Sequence, residues 1–138
     1  MYVTKNAAPR NIYSTKLKGD FKKTHIDNLF KGSGSFTEVE ENEFDVLIVE
    51  EAHRLNEKSG MFRNKGENQV KELIKGSKFT ILFIDVNQKV TLSDIGSIDL
   101  IEHHAKQYKA NIISCELRPS SVVMGQTAIS PGWMMYCK

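Results

Sequence analysis

Two stretches of the chain are almost unbroken in apolar residues. Phe44-Asp45-Val46-Leu47-Ile48-Val49 runs into Glu50-Glu51-Ala52-His53, and Phe79-Thr80-Ile81-Leu82-Phe83-Ile84 runs into Asp85 and then Asn87-Gln88. A strand that is apolar on both faces belongs in the middle of a parallel sheet covered by two helical layers. Asn111 to Cys115 is a third, weaker run, and Tyr2-Val3-Thr4 reads as a short strand. The stretches between carry helical signals. Ala7 to Leu17 holds helix formers, with Pro9 placed in the first turn, where its missing N–H costs nothing. His25 to Phe30 puts Ile26, Leu29 and Phe30 on one face, and Glu67 to Lys75 and Ser93 to Tyr108 are longer helical segments. Gly32-Ser33-Gly34-Ser35 reads as a flexible connection. Strands alternating with helices predict a parallel α/β sheet joined by right-handed crossovers.

Composition adds limits. The chain has 138 residues, 40% hydrophobic and 26% charged, which is the size and make-up of one globular domain. No run approaches the roughly 18 apolar residues of a membrane helix, and a cytoplasmic protein is expected. The net charge of +2 does not by itself point to nucleic acid. The basic residues are uneven, however, with Lys5, Arg10, Lys16, Lys18, Lys22 and Lys23 crowded near the N-terminus, as either a solvated helical surface or a phosphate-binding face. Cys115 and Cys137 lack metal-ligand spacing and read as two free thiols.

The candidate chemistry sits where the apolar runs end. In open parallel sheets, ligands bind at the carboxyl ends of the strands. Glu50 and Glu51 end one strand here, and Asp85 and Gln88 follow another. Adjacent carboxylates in such a place suit magnesium-nucleotide chemistry, one supporting the metal shell while the other orients a water. Glu-Glu as the plain solvated start of a loop is the competing reading. The two residues that follow decide between them. Val46 to Leu55 reads V-L-I-V-E-E-A-H-R-L and resembles the Walker B segment of helicase-like ATPases, usually D-E-A-H. Five other stretches are similar in the same way: Tyr2 to Asn11, Leu29 to Phe36, L-N-E-K-S-G-M-F at Leu55 to Phe62, G-E-N-Q at Gly66 to Gln69, and F-I-D-x-x-Q-x-V-T-L at Phe83 to Leu92. Together they resemble the Schlafen group-3-type DNA/RNA helicase domain, a relative of superfamily 1 helicases, over residues 2 to about 117.

That resemblance implies a partial RecA-like, three-layer P-loop NTPase fold and a role for each matching residue. Glu51 is implied as the catalytic glutamate that orients the attacking water, and Glu50 stands in place of the aspartate that supports magnesium. His53 is implied as the link to neighbouring motifs. Gln88 matches the glutamine that senses the γ-phosphate, and Asp85 precedes it on the nucleotide side. Lys5, Asn6 and Arg10 fall in the segment that in helicases touches the nucleic-acid backbone. The cofactors of the complete family domain are Mg2+ and ATP, and the partner is DNA or RNA.

Two departures qualify these expectations. No G-x-x-x-x-G-K-[ST] occurs in the 138 residues, so nothing cradles the β- and γ-phosphates. The P-loop half is therefore expected upstream of Met1, the second RecA-like lobe is likewise missing, and the chain alone is expected to be inactive towards ATP. The second departure is the tail, residues 118–138, which has neither helical nor strand periodicity. Back-translated and read one nucleotide earlier from Pro119, it becomes Q-F-R-C-N-G-S-D-G-Y-I-A-W-M-D-D-V-L-Q, which contains the family's glutamine-phenylalanine-arginine-cysteine motif. A shifted reading frame is inferred, with an irregular, loosely packed tail. Two rival functions stand beside the ATPase reading: an ATP-independent nucleic-acid or partner-binding module, and a metal-dependent nuclease or phosphatase built on Glu50, Glu51 and Asp85.

Overall fold

A computed structural model describes residues 1–85, 88, 91–116 and 132–137, the backbone alone at 116 and 132–137. Six strands form one sheet in the order β2-β1-β3-β4-β6-β5. They are β1 (Tyr2–Thr4), β2 (Phe30–Gly32), β3 (Phe44–Glu50), β4 (Ser77–Ile84), β5 (Asn111–Glu116) and β6 (Gly132–Cys137). β2, β1, β3 and β4 are mutually parallel, and β6 runs antiparallel to both β4 and β5. The helices are α1 (Ala7–Leu17), α2 (Lys23–Leu29), α3 (Gln69–Gly76) and α4 (Ile98–Gln107). This is a mixed α/β fold with a parallel sheet flanked by helices, as a partial RecA-like domain requires.

Register decides which face of the sheet is core. Leu47 pairs with Thr80 and Val49 with Leu82 and Val3, so these side chains share one face. Val3, Leu47, Val49 and Leu82 are fully buried there against Val70, Leu73 and Ile74 of α3 and Ile101 and Ala105 of α4. The spacing of Val70, Leu73 and Ile74 at i, i+3 and i+4 is the helical stripe that this packing needs. Each core helix is also capped. Asn68 accepts from Val70 N–H at 2.9 Å, and the Ser97 hydroxyl accepts from Leu100 N–H at 3.3 Å.

The opposite face differs from the expectation of even cover. It carries Tyr2, Val46, Ile48, Phe79 and Ile81 by register. α1 covers its β1 end, where Tyr13 meets Tyr2 edge-on at 5.7 Å and stacks on Phe30 at 5.0 Å. Further along, Val46 is 39% exposed and Ile113 of β5 is 49% exposed. A strand can thus be apolar on both faces although, among the described residues, helices cover one face fully and the other only at its β1 end.

Two expectations are corrected. The stretch from Gly32 to Ser35 is not a flexible connection: Gly32 ends β2, and Ser33–Phe36 forms a 3₁₀ turn that buries Ser33 and Phe36. The tail is not irregular throughout, because Gly132–Cys137 forms a strand between β4 and β5. Six pairings on each side satisfy ladder N–H and C=O groups that β4 and β5 would otherwise leave open. The rest of the tail lies outside the described residues. Cys137 sits opposite Asn111 and Cys115 opposite Trp133, four pairings apart, so the two cysteines cannot bridge. Among the described residues no helix is long and apolar enough to cross a membrane.

Candidate functional site

The carboxyl ends of β1, β3 and β4 lie side by side because these strands are parallel neighbours. The last residues of β3 and β4 and the turns after them form a cavity of about 290 Å³ lined by Glu50, Glu51, His53, Phe83, Ile84, Asp85 and Gln88. All five residues expected at the catalytic, metal and cofactor positions therefore meet in one place. Asp94, Asn56, Arg54 and Tyr2, which sequence reasoning did not single out, supply the surrounding support.

Glu51 is the most constrained of the group. Its backbone is left-handed, with φ 50° and ψ 46°, a conformation that costs a non-glycine residue about 1 kcal/mol or more. The turn lets β3 end at Glu50 while Ala52–Arg54 folds back as a 3₁₀ turn. The Glu51 carboxylate accepts a hydrogen bond from Asn6 Nδ2 at 2.5 Å and pairs with Arg54 Nη1 at 3.5 Å. Asn6 stands at the N-cap of α1, yet its side chain makes no capping bond. The amide that could cap the helix holds Glu51 instead.

Glu50 and His53 each present an unsatisfied atom. Glu50 Oε2 and His53 Nε2 are buried without a hydrogen-bond partner, a costly condition that bound water, an ion or a ligand relieves. Burial, and then the nearby Glu50 carboxylate, hold Tyr2 far above the usual phenol range. His53 Nδ1 accepts from Asp85 N–H at 3.1 Å, so that nitrogen carries the lone pair and any ring proton of the neutral form sits on Nε2. Burial lowers the His53 pKa despite the opposing pull of Glu51 and Asp85. A neutral imidazole thus ties the end of β4 to the turn after β3. Gly96 closes this turn from outside, since a Cβ there would lie 1.8 Å from Ala52 O. Gln88 is exposed at the cavity mouth, with its N–H bonded to Asp85 O at 3.2 Å.

The residues expected to touch nucleic acid are placed differently from one another. Lys5 Nζ donates to Asn56 Oδ1 and to Asp94 Oδ1, both at 2.9 Å, and the Asp94 side chain is fully buried. Burial alone would raise the Asp94 pKa. The hydrogen bonds from Lys5 and Thr91 and the Lys5 charge outweigh it and hold the carboxyl well below its ordinary range. Arg10 Nη1 donates to Thr4 O at 2.6 Å and Asn6 O at 3.0 Å, pinning the corner between β1 and α1. Asn6 faces Glu51. All three therefore have structural partners, and two of them brace the approach to the cavity.

The Schlafen group 3 DNA/RNA helicase domain model matches residues 1–127. The chain belongs to that family. No curated protein and no solved structure matches it. Membership in the Schlafen group 3 helicase domain family makes the chain helicase-like and its role nucleic-acid-related. The matched span includes the turn after β3, the Asp85–Gln88 segment and the Lys5–Arg10 corner, so the cavity lies wholly inside it.

Proposed function

We propose that this cavity is the magnesium-and-water half of the ATP-hydrolysing site of a helicase-like domain. The observation that carries the reading is the pair of buried, unpartnered atoms, Glu50 Oε2 and His53 Nε2, beside a Glu51 carboxylate already fixed by Asn6 and Arg54. Glu51 orients a water for in-line attack, and Asn6 and Arg54 limit the positions its oxygens can take. Glu50 and Asp85 support a hydrated magnesium ion, and Gln88 stands where a terminal phosphate would be sensed. Magnesium, when bound, neutralises charge developing on the phosphate oxygens.

The donor set fits magnesium better than it fits a bare nucleotide. Magnesium keeps several waters and needs only one or two carboxylates besides phosphate oxygens. Nucleotide phosphates need cations or backbone amides, whereas the described lining residues include three carboxylates and no lysine or arginine. These 138 residues contain no G-x-x-x-x-G-K-[ST], so the polypeptide by itself turns over no ATP. A metal-dependent nuclease or phosphatase is less well supported, because no group of three or more ligating side chains forms among the described residues.

Manganese binding followed by electron paramagnetic resonance tests the site. The 138-residue chain should bind Mn2+ weakly, Glu50→Gln should abolish that binding, and no variant should hydrolyse ATP. Joining a segment that carries G-x-x-x-x-G-K-[ST] should be required for turnover, and Glu50→Asp in that joined protein should raise it. ATP turnover by the 138-residue chain that vanishes in Glu51→Gln would overturn the inactivity. Metal binding unchanged in Glu50→Gln would overturn the assignment of the metal.

A further inference from the structure

The loop between the turn at Ala52–Arg54 and α3 exposes two large apolar side chains at its tip. Met61 is 91% exposed and Phe62 82% exposed. The loop is nonetheless built firmly. Ser59 and Lys65 exchange backbone hydrogen bonds of 2.8 and 3.1 Å, and Arg63 N–H closes a turn on Gly60 O at 3.1 Å. Gly60 and Arg63 take positive φ values of 87° and 51°, which sharpen that turn. Below it, the buried Gln69 amide donates to Ser59 Oγ at 2.8 Å, and its oxygen accepts from Asn56 N–H at 2.9 Å. The base is thus anchored to the start of α3, and the apolar tip is held out in water rather than folded in.

The charge around this tip is mostly positive. Lys58, Arg63 and Lys65 are exposed, and none has an ion-pair partner among the described residues. Lys58 and Arg63 also line a cleft of about 410 Å³ whose far wall includes Leu92, itself fully exposed, and Ser93. Glu57 is the one carboxylate among the described lining residues. Three free cations around an exposed aromatic ring complement a polyanion that also offers flat, apolar faces. Single-stranded nucleic acid has both, with phosphates for the cations and bases to stack on the ring.

We propose that the Ser59–Lys65 loop is a single-strand nucleic-acid contact, with Phe62 stacking on a base and Lys58, Arg63 and Lys65 holding the adjacent phosphates. The proposal rests on the nucleic-acid-related role of the domain and names a surface for it. This surface is distinct from Lys5 and Arg10, whose donors are already engaged inside the fold.

The test is fluorescence anisotropy of the full 138-residue chain with labelled oligothymidylate and oligouridylate of about twelve nucleotides, within the span such sites cover. Phe62→Ala should weaken binding by about 5- to 100-fold and leave its salt dependence unchanged. Replacing Lys58, Arg63 and Lys65 together by alanine should flatten the slope of log K against log salt by about 2, near 0.7 for each phosphate no longer neutralised. All four positions are exposed, so melting temperatures should stay within error and distinguish a weakened interface from an unfolded chain. Binding by the wild-type chain that neither variant alters would overturn the loop assignment while leaving the role of the domain standing, and would turn the apolar tip towards a protein partner. Absence of binding to either oligonucleotide at low salt would overturn both.

Discussion

Gly96→Ala introduces one methyl group at the point where the fold closes over the candidate site. The glycine has no unusual φ, so alanine suffers no backbone penalty of its own, and the effect is purely one of space. The new Cβ would stand 1.8 Å from Ala52 O and 2.7 Å from both Ala52 C and His53 Cα. Carbon atoms in contact prefer about 3.5 Å or more, so the two backbones must part by more than an ångström. These are main-chain atoms, and no side chain can rotate away to absorb the change. The neighbouring Ile95 N–H···O Leu55 bond, 2.9 Å long, would stretch past bonding distance. Overpacking of this kind costs about 1–3 kcal/mol and the broken hydrogen bond about 1 more. For a chain of this size that corresponds to a melting temperature lower by roughly 8–15 °C. Thermal unfolding followed by circular dichroism measures it. Gly34→Ala is the control, since its Cβ would meet Ser59 at an ordinary 3.5 Å and should change stability by less than about 0.5 kcal/mol. A Gly96→Ala protein that melts within 2 °C of wild type, or a Gly34→Ala protein that falls as far, would refute the reasoning. So would unaltered Mn2+ binding in a Gly96→Ala protein that does lose stability, because the moved backbone carries Glu51 and His53.

Lys5→Ala removes the Lys5 ammonium from the fully buried Asp94 carboxylate, and denaturant unfolding should show a loss of about 3 kcal/mol; a loss below about 0.5 would return Lys5 to the surface role that its segment implies. His104 is buried with Nε2 unpartnered, and burial lowers its pKa below 6.5. The unfolded chain therefore binds the extra proton first, and stability should fall as pH drops below about 6.5, with His104→Leu flattening that fall. Glu72 has the opposite sign: burial raises its pKa, so its contribution is present below about pH 4.5 and lost as pH rises through the folded value. Glu72→Gln should then be more stable than wild type at pH 7, and equal or lower stability there would count against a buried charge. Deleting Gly132 to Lys138 removes the strand between β4 and β5 and should cost at least about 3 kcal/mol through the unpaired ladder groups; an unchanged or higher melting temperature is what a shifted reading frame requires instead.

Much of the fold was legible because its central strands are long and apolar. β3, β4 and β5 begin and end within two residues of the runs that signalled them, and α1 spans the expected Ala7–Leu17. What escaped was short or non-local. β2 has three residues, and it exists because β1 offers a parallel edge, not because Phe30-Lys31-Gly32 favours a strand. β6 escaped for the same reason: nothing in Gly132-Trp133-Met134-Met135-Tyr136-Cys137 alternates in polarity, and its order comes from two partners lying far away in sequence. The helix boundaries moved by as many as five residues where a cap, Asn68 or Ser97, fixed the start more sharply than the apolar stripe did.

The site was legible in a different sense. That Glu50, Glu51, Asp85 and Gln88 gather around the cavity followed from one rule, that parallel strands expose their carboxyl ends together, whereas His53 was signalled only by the resemblance to helicase-like ATPases. How those residues are held did not follow. Asn6 read as a nucleic-acid contact because its segment resembles one, and nothing in Lys5-Asn6-Ala7 shows that its amide turns towards Glu51. Asp94 gives no signal at all in sequence, sitting in Thr91-Leu92-Ser93-Asp94 like any solvated aspartate, yet it anchors Lys5 from a fully buried position. Both cases have one physical cause. A hydrogen bond that spans 45 or 89 residues of chain is decided by where the sheet brings the backbone, and the residue types record only that a donor or an acceptor is present. The left-handed Glu51 goes further, since a glutamate is an unfavourable residue for that conformation and local propensity argues against it. Local rules fail most visibly at this residue, whose carboxylate is held by Asn6 and Arg54 from outside its own strand.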